Sequence, residues 1–350
     1  MLDEIRQQPE VLERTLRHEL PKVERLRKAL AARRPRFIVI AARGTSDNAA
    51  TFGRYLLEIS TGIPVSLAAP SIFTLYGGGL NFADTLVVAI SQSGESTDTN
   101  LVLERAKARG ALTVGITNES GSSLASLAEH VILVRGRREK SVAATKTYTG
   151  QLLALYLLAY ALGAAIRIDD LRRLPDWAAD ALRVDAQVRE MASRYRFMNH
   201  AVVVGRGLNY ANAFEFALKM METCYIVAQR FSSADFLHGP IAVVGRAFPV
   251  FLFAPGGVTW PSMKPMLQKL DSAGAELFLL TDKSNRDAVK LNVRQVRIPA
   301  QLTHKGPLPE EVFTPIPYII PAQLLAAHLA VEKGINPDQP RGLSKVTRTM

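Results

Sequence analysis

The 350-residue sequence has little of several features that would point to other classes of protein. It contains one cysteine, Cys224, so an internal disulfide is impossible and a disulfide-stabilised miniprotein is excluded. Its most apolar run, 152–166, is shorter than the roughly 20 residues that a membrane helix needs, which predicts a buried core helix instead. Residues 1–10 are polar and hold no apolar signal core. We therefore expect a cytoplasmic protein without membrane association.

Aromatic residues are sparse as well, at 7%, and they are not interleaved with the basic ones. The net charge of +11 comes from scattered groups such as 33–34, 135–140 and 172–173. A nucleic-acid surface combines clustered positive charge with stacking aromatics, so no nucleic-acid partner is predicted. The sequence shows no Cys/His cluster with metal-ligand spacing, and neither a metal nor another cofactor is predicted. An anionic small molecule remains compatible with the charge.

The sequence does contain an internal repeat. Residues 37–50 align with 200–213 at an offset of 163. The apolar runs that begin at Thr85 and Phe248 align at the same offset, and a third pair of segments follows after one inserted residue. Three segments repeated in one order indicate a tandem duplication of a domain of about 150 residues.

Short apolar runs alternate with helical stretches in each copy. In the first copy the predicted strands are 37–41, 65–68, 85–90, 112–117 and 131–134. Continuous apolar strands separated by helices predict an α/β fold in which each domain is a doubly wound parallel sheet flanked by helices. Ligands of such sheets bind beyond the carboxyl ends of the strands. The expected division is a helical arm at 1–32, a first domain at 33–170, a helical linker at 171–195, a second domain at 196–337 and a C-terminal loop at 338–350.

Hydroxyl side chains follow two of the predicted strands and lead directly into helices. Thr45 and Ser46 come after the first strand, and the sequence SQSGES at 91–96 comes after the third. Unpaired N–H groups at a helix N-terminus attract anions, and hydroxyls add donors, so a phosphate monoester is predicted here. The alternative is that Ser96 or Thr97 merely caps its helix. Neither loop matches a nucleotide-binding fingerprint.

A charged stripe lies on an otherwise apolar helix after Leu208. Helical spacing places Glu215, Lys219 and Glu222 on one face, at i, i+4 and i+7. Their neighbours are apolar, and charges in such surroundings are costly unless they are paired or used. We therefore predict a site in which a lysine holds a carboxylate ionised as a general base, with an exposed Glu–Lys–Glu ladder as the alternative.

Two further ionisable residues lie in loops, His238 next to Gly239-Pro240 and Lys345 near the chain end, beyond an apolar helix predicted at 321–332. Pro240 predicts that no regular element forms there. Periodicity alone distinguishes neither residue from an ordinary surface histidine or tail lysine.

Together these motifs resemble the tandem sugar isomerase (SIS) domains of glutamine–fructose-6-phosphate aminotransferase. The motifs that carry the resemblance are 44–46, 91–96, 142–146, 215–222, 238–240 and 338–341. They extend in the same order over nearly the whole chain. The resemblance implies a hexose 6-phosphate as substrate.

The same resemblance implies a role for each candidate residue. The implied substrate-binding residues are Thr45, Ser46, Ser91, Gln92, Ser93, Ser96, Val142 and Ser344. Glu222 matches the base that moves a proton between C1 and C2, and Lys219 and Glu215 match its charged helpers. His238 matches a ring-opening histidine supplied by the other subunit of a homodimer, and Lys345 matches a lysine that forms a Schiff base.

Some features depart from the aminotransferase pattern. The sequence shows no glutaminase domain with an N-terminal cysteine, and Cys224 is expected to pack as a small apolar residue. Ala144 replaces a serine, and Leu237 replaces a basic residue. The sequence thus resembles the stand-alone second type of glucosamine-6-phosphate deaminase. Alternatives are a fructosamine-6-phosphate deglycase, a plain aldose–ketose isomerase and a non-catalytic sugar-phosphate sensor.

Overall fold

The computed structural model describes residues 1–345 and divides them into two compact units. Domain 1 comprises Glu10–Glu139 and Lys146–Arg172, together with Ser344 and Lys345. Domain 2 comprises Met1–Pro9, Lys140–Thr145 and Arg173–Leu343. Residues 346–350, the end of the predicted C-terminal loop, lie outside the described residues.

Helices and strands alternate through most of the chain. The strands are β1 Phe37–Ala42, β2 Val65–Leu67, β3 Thr85–Ile90, β4 Leu112–Thr117, β5 His130–Leu133, β6 His200–Gly205, β7 Val227–Ser232, β8 Pro249–Phe253, β9 Glu276–Asp282 and β10 Arg294–Ile298. The α-helices are α1 Leu2–Arg6, α2 Gln8–Ala32, α3 Thr45–Thr61, α4 Ser71–Thr74, α5 Thr97–Ala108, α6 Ser123–Leu127, α7 Lys146–Ala161, α8 Ile168–Arg172, α9 Leu174–Leu182, α10 Asp185–Ala192, α11 Tyr210–Cys224, α12 Ser233–Leu237, α13 Trp260–Ser272 and α14 Pro315–Glu332.

The two sheets are parallel and share one strand order. It is β2-β1-β3-β4-β5 in domain 1 and β7-β6-β8-β9-β10 in domain 2. The predicted α/β class with two parallel sheets is thereby confirmed. The chain reverses direction across the sheet between β1 and β3, and likewise between β6 and β8. Ligands of open α/β sheets bind beyond the strand ends at such a switch point.

Each sheet is covered on both faces, as its apolar strands require. All six residues of β3 and all six of β4 are buried. The apolar run predicted to form a core helix lies mostly in α7, of which nearly every side chain is buried, so that prediction is confirmed. Among residues 1–345, no helix has both the length and the apolar character needed to cross a membrane.

Two predictions about proline were wrong. The helix expected at 321–332 is α14 and starts earlier, at Pro315, because a proline is tolerated in the first turn and nearly the whole helix is buried. Near His238 the structure has a short 3₁₀ helix, Pro240–Val243, where no regular element was expected. Proline begins that helix for the same reason, since its missing N–H would have had no helical partner.

Candidate active site

The two hydroxyl loops of domain 1 lie side by side at the switch point of its sheet. Ala42 and Ile90, the last residues of β1 and β3, are partners in the sheet register. The segments that follow, 43–46 and 91–96, therefore leave the sheet next to each other. The structure thus brings together two groups of hydroxyls that are distant in sequence.

The loop at 91–96 is held in shape by its own hydroxyls. Ser91 Oγ accepts a hydrogen bond from the Gly94 backbone N–H at 3.1 Å, and Ser93 Oγ accepts one from Glu95 N–H at 3.2 Å. Gly94 has φ +69°, and a Cβ there would lie 2.1 Å from Ser122 Oγ. Only glycine fits this position, so the turn is specified by the sequence.

Ser96 is the N-cap residue of α5, but its side chain does not cap the helix. Its hydroxyl instead lies 3.0 Å from Thr99 Oγ1. Thr97 is the first helical residue and so is not the cap either. The helix N-terminus, whose first N–H groups have no partner within a helix, follows directly on the hydroxyl loop, an arrangement that attracts an anion.

Thr45 and Ser46 open α3 in the adjacent loop. Ser46 is buried and its Oγ accepts a 2.9 Å hydrogen bond from Gln151 Nε2 on α7, whereas Thr45 is half-buried. Arg43, immediately before this loop, donates from Nε and Nη2 to Asp98 Oδ2 at 3.1 and 2.7 Å. Sequence analysis missed this ion pair, although Arg43 directly precedes the motif at 44–46.

The charged stripe predicted from the sequence forms an ion-paired row on α11 in domain 2. Lys219 Nζ lies 2.5 Å from Glu222 Oε2 and 3.4 Å from Glu215 Oε1. The side chains of Lys219 and Glu215 are fully buried, whereas that of Glu222 is 23% exposed. The expected alternative of an exposed ladder is therefore wrong. Glu222 is the member of the row whose side chain reaches solvent, and Lys219 pairs with it from the buried side.

Cys224, at the end of α11, is unsuited to nucleophilic chemistry. It is buried, and its Sγ lies 3.2 Å from the Ala326 carbonyl oxygen as a hydrogen-bond donor. Burial raises the pKa of the thiol to about 11, so little thiolate forms at neutral pH. It packs as a small apolar residue, as predicted.

Two other predicted residues of domain 2 lie in separate segments. His238 is exposed and terminates α12. Val142 is half-buried, and its backbone N–H donates to the Asp338 carbonyl at 3.2 Å. A contact between Val142 and a sugar through the backbone would therefore use its carbonyl oxygen.

Lys345 and Ser344 belong to domain 1. Ser344 is exposed, and Lys345 Nζ lies 3.1 Å from Glu139 Oε2. The Glu139 side chain is fully buried, and it also accepts a 2.6 Å hydrogen bond from Thr147 Oγ1. Sequence reasoning missed Glu139, whose only signal was its place three residues before Val142.

Domain 2 has a loop that corresponds to the hydroxyl loop at 91–96 but is built from different residues. At the offset of 163, Gly94 matches Gly257 and Ser96 matches Thr259, the N-cap residue of α13. A Cβ on Gly257 would lie 1.7 Å from Glu311 Oε2, so the buried Glu311 carboxylate covers the loop backbone. Burial raises the pKa of Glu311, and the Thr259 hydroxyl and the N–H groups of Val258 and Thr259 partly offset that rise. A side chain of the protein thus covers this second loop.

Comparison with known proteins identifies relatives over the whole chain. A family model described as SIS domain matches residues 33–161 and 196–333. The glutamine–fructose-6-phosphate aminotransferase of Pyrococcus horikoshii is 35% identical over 99% of this chain, which covers 57% of that protein. The chain therefore spans little more than half of that relative.

Solved structures agree with the family match. The C-terminal domain of glucosamine-fructose-6-phosphate aminotransferase from Francisella tularensis has a TM-score of 0.87 and 28% identity, with 97% of each chain covered. A glucosamine-6-phosphate deaminase from Thermotoga maritima has a TM-score of 0.78 and 22% identity, with 99% of each chain covered. At that identity the second likeness shows the fold alone.

Proposed function

The chain belongs to the SIS domain family of sugar isomerases, as the motifs predicted, and from that premise we propose that it converts glucosamine 6-phosphate and water into fructose 6-phosphate and ammonia. In this proposal domain 1 binds the phosphate group, and α11 of domain 2 carries the proton-transfer chemistry. The relative named as a glutamine–fructose-6-phosphate aminotransferase acts on a sugar phosphate of this kind.

The row Glu215–Lys219–Glu222 is the observation that carries the proposal. Two buried charges in an apolar helix are expensive, and they lie beside one carboxylate, Glu222, that reaches the surface. Isomerisation between an aldose and a ketose needs such a base to move a proton between adjacent carbons. Lys219 acts through Glu222, because its own side chain is fully buried.

The hydroxyl loops support a phosphorylated substrate. Serine hydroxyls and the N-terminus of α5 supply donors in one place, with a glycine that allows close approach of the backbone. Binding of the phosphate anchors the sugar at a point remote from its reacting carbons. This anchoring orients the sugar and lowers the entropic cost of the reaction. No metal or organic cofactor is part of the proposal.

The proposed reaction proceeds through the open-chain sugar. His238 assists ring opening, and its exposure is compatible with service to the other subunit of a homodimer. Glu222 removes the C2 proton, giving an enol at C1 and an amine at C2. Protonation at C1 produces an imine at C2, water adds to that carbon, and ammonia leaves. In the reverse direction Lys345 is proposed to condense with the C2 carbonyl of open-chain fructose 6-phosphate, releasing water, and ammonia then adds to C2 and displaces the lysine amine.

Ammonia release tests the proposal directly. Purified protein is incubated with glucosamine 6-phosphate, and ammonia and fructose 6-phosphate are measured together over time. We expect equal amounts of both products. Fructose 6-phosphate incubated with ammonia provides the reverse reaction as a consistency check. Failure to release ammonia at micromolar enzyme would remove the deaminase assignment.

Two further substrates separate the related activities. Release of glucose 6-phosphate from fructosamine 6-phosphate would identify a deglycase, and interconversion of glucose 6-phosphate and fructose 6-phosphate would identify a plain isomerase. Binding of all these sugars without turnover would identify a sensor. The buried charges of α11 favour an enzyme over a sensor, since binding alone does not need a base.

A further inference from the structure

Arg43 begins one of the two adjacent loops proposed to bind phosphate in domain 1, although nothing in the family resemblance pointed to it. It is the first residue after β1, and Ser91 is the first residue after β3. The residues before them, Ala42 and Ile90, are register partners, so Arg43 and Ser91 leave adjacent strands at the same level. Arg43 also directly precedes the loop of Thr45 and Ser46.

The side chain of Arg43 is fixed rather than free. Its Nε and Nη2 both donate to Oδ2 of Asp98, at 3.1 and 2.7 Å. Asp98 lies in the first turn of α5, two residues after Ser96, and its side chain is only 3% exposed. The guanidinium group therefore reaches from the end of β1 to the start of α5.

The same side chain retains access to solvent. Arg43 is 50% exposed, although its partner is buried. A guanidinium group has five N–H donors in a planar fork, and the bonds to Asp98 use its Nε and Nη2 atoms. An arginine held in this way presents the rest of its fork in a fixed direction, the geometry in which arginine binds phosphate.

We propose that Arg43 is a substrate-binding residue that contacts the phosphate group of the sugar and that Asp98 is the residue that positions it. The inference depends on the proposed function only in taking a sugar phosphate as the ligand of these loops. It adds a fixed positive charge to a site otherwise made of neutral donors. Such a charge discriminates a phosphorylated sugar from the free sugar.

A different role for Arg43 must be separated from this one. A buried carboxylate in the first turn of α5 would repel a phosphate, and Arg43 could serve only to neutralise it. The two roles make opposite predictions for a chain that lacks both charges. A double-mutant cycle over Arg43→Met and Asp98→Asn therefore decides between them.

The experiment measures binding of glucose 6-phosphate by calorimetry to the full chain and to the variants R43M, D98N and R43M/D98N. Arg206, at the aligned position of domain 2, supplies the matched control R206M. We expect R43M to weaken binding about tenfold or more, the effect of a lost hydrogen bond to a charged group. R43M/D98N is expected to remain about as weak, D98N to be weakened less, and R206M to bind like the wild type.

Each result has a defined meaning. Recovery of wild-type affinity in R43M/D98N would overturn the inference, because Arg43 would then only neutralise Asp98. Unchanged affinity in R43M would overturn it too, while leaving the proposed function intact. A wild-type chain that binds no sugar phosphate would overturn both. If R43M fails to fold because Asp98 loses its arginine, the folded double variant and R43K still report on the contact, and R43K is expected to recover part of the affinity as a point charge.

Discussion

Aligned helices of the two domains differ in the residues that occupy the same positions. The offset of 163 pairs Phe52, Leu56 and Ile59 of α3 with Glu215, Lys219 and Glu222 of α11. In both helices the first two residues are fully buried and the third is partly exposed. One copy of the fold therefore fills these positions with apolar side chains. Packing does not require the charges of α11, so their presence points to chemistry.

The loops after β3 and β8 show the opposite contrast. Domain 1 carries serines beside a glycine at positive φ, and domain 2 carries Ala254-Pro255-Gly256-Gly257 beneath the Glu311 carboxylate. The serine cluster thus occurs in the copy whose helix has apolar residues at the three aligned positions, and the charged row occurs in the copy whose loop is covered. Duplication followed by such divergence assigns binding to one domain and reaction to the other under the proposed function.

The largest expected effect comes from Glu222→Gln. Loss of a general base lowers kcat by about 10²- to 10⁴-fold, whereas binding of glucose 6-phosphate, measured by calorimetry, stays close to that of the wild type. Steady-state ammonia release provides the rate. Appreciable activity in E222Q would break the assignment of the reaction to domain 2.

A second prediction concerns the stability contributed by the charged row of α11. The aligned positions of α3 hold apolar side chains, so the charges of the row can be replaced by leucine. Lys219→Leu leaves Glu215 as a buried charge without its lysine, and we expect the free energy of unfolding in urea to fall by about 3–5 kcal/mol. The pair Glu215→Leu/Lys219→Leu removes both inner charges and is expected to recover most of that loss while remaining inactive. A double variant as unstable as K219L would show that the fold itself depends on the charges.

The third and smallest effect concerns the loops. Ser91→Ala combined with Ser93→Ala is expected to raise KM about tenfold or more, with a smaller change in kcat, because hydroxyls remote from the reacting carbons bind substrate and transition state alike. Thr259→Ala alters the corresponding loop of domain 2 and should leave KM unchanged. Equal effects of the two changes would contradict the division of labour.

The architecture could be predicted from the sequence because its signals are local and repeated. Apolar runs such as that of β3 are buried on both faces. The offset of 163 then locates the matching elements of the second domain from those of the first. Boundaries near prolines were less predictable. Pro315 begins α14 and Pro321 lies inside it, because nearly complete burial of the helix outweighs the usual helix-breaking effect of proline.

The site could be predicted only in part, for a physical reason. Helical spacing placed Glu215, Lys219 and Glu222 together because a helix brings residues four apart into contact. Pairing between Arg43 and Asp98, or between Glu139 and Lys345, joins segments distant in sequence, and only the fold brings such partners together. The contact of Glu311 with the loop at Gly257 likewise cannot be predicted from sequence periodicity.

The burial of Cys224 has a practical consequence for site-specific labelling of the protein. As the sole cysteine, with its thiol enclosed and its pKa raised to about 11, it leaves the native surface without a reactive thiol. A cysteine introduced at an exposed position such as Leu237, beside His238, would then take up a fluorescent or spin label selectively. The wild-type background is therefore ready for distance measurements without prior removal of native cysteines.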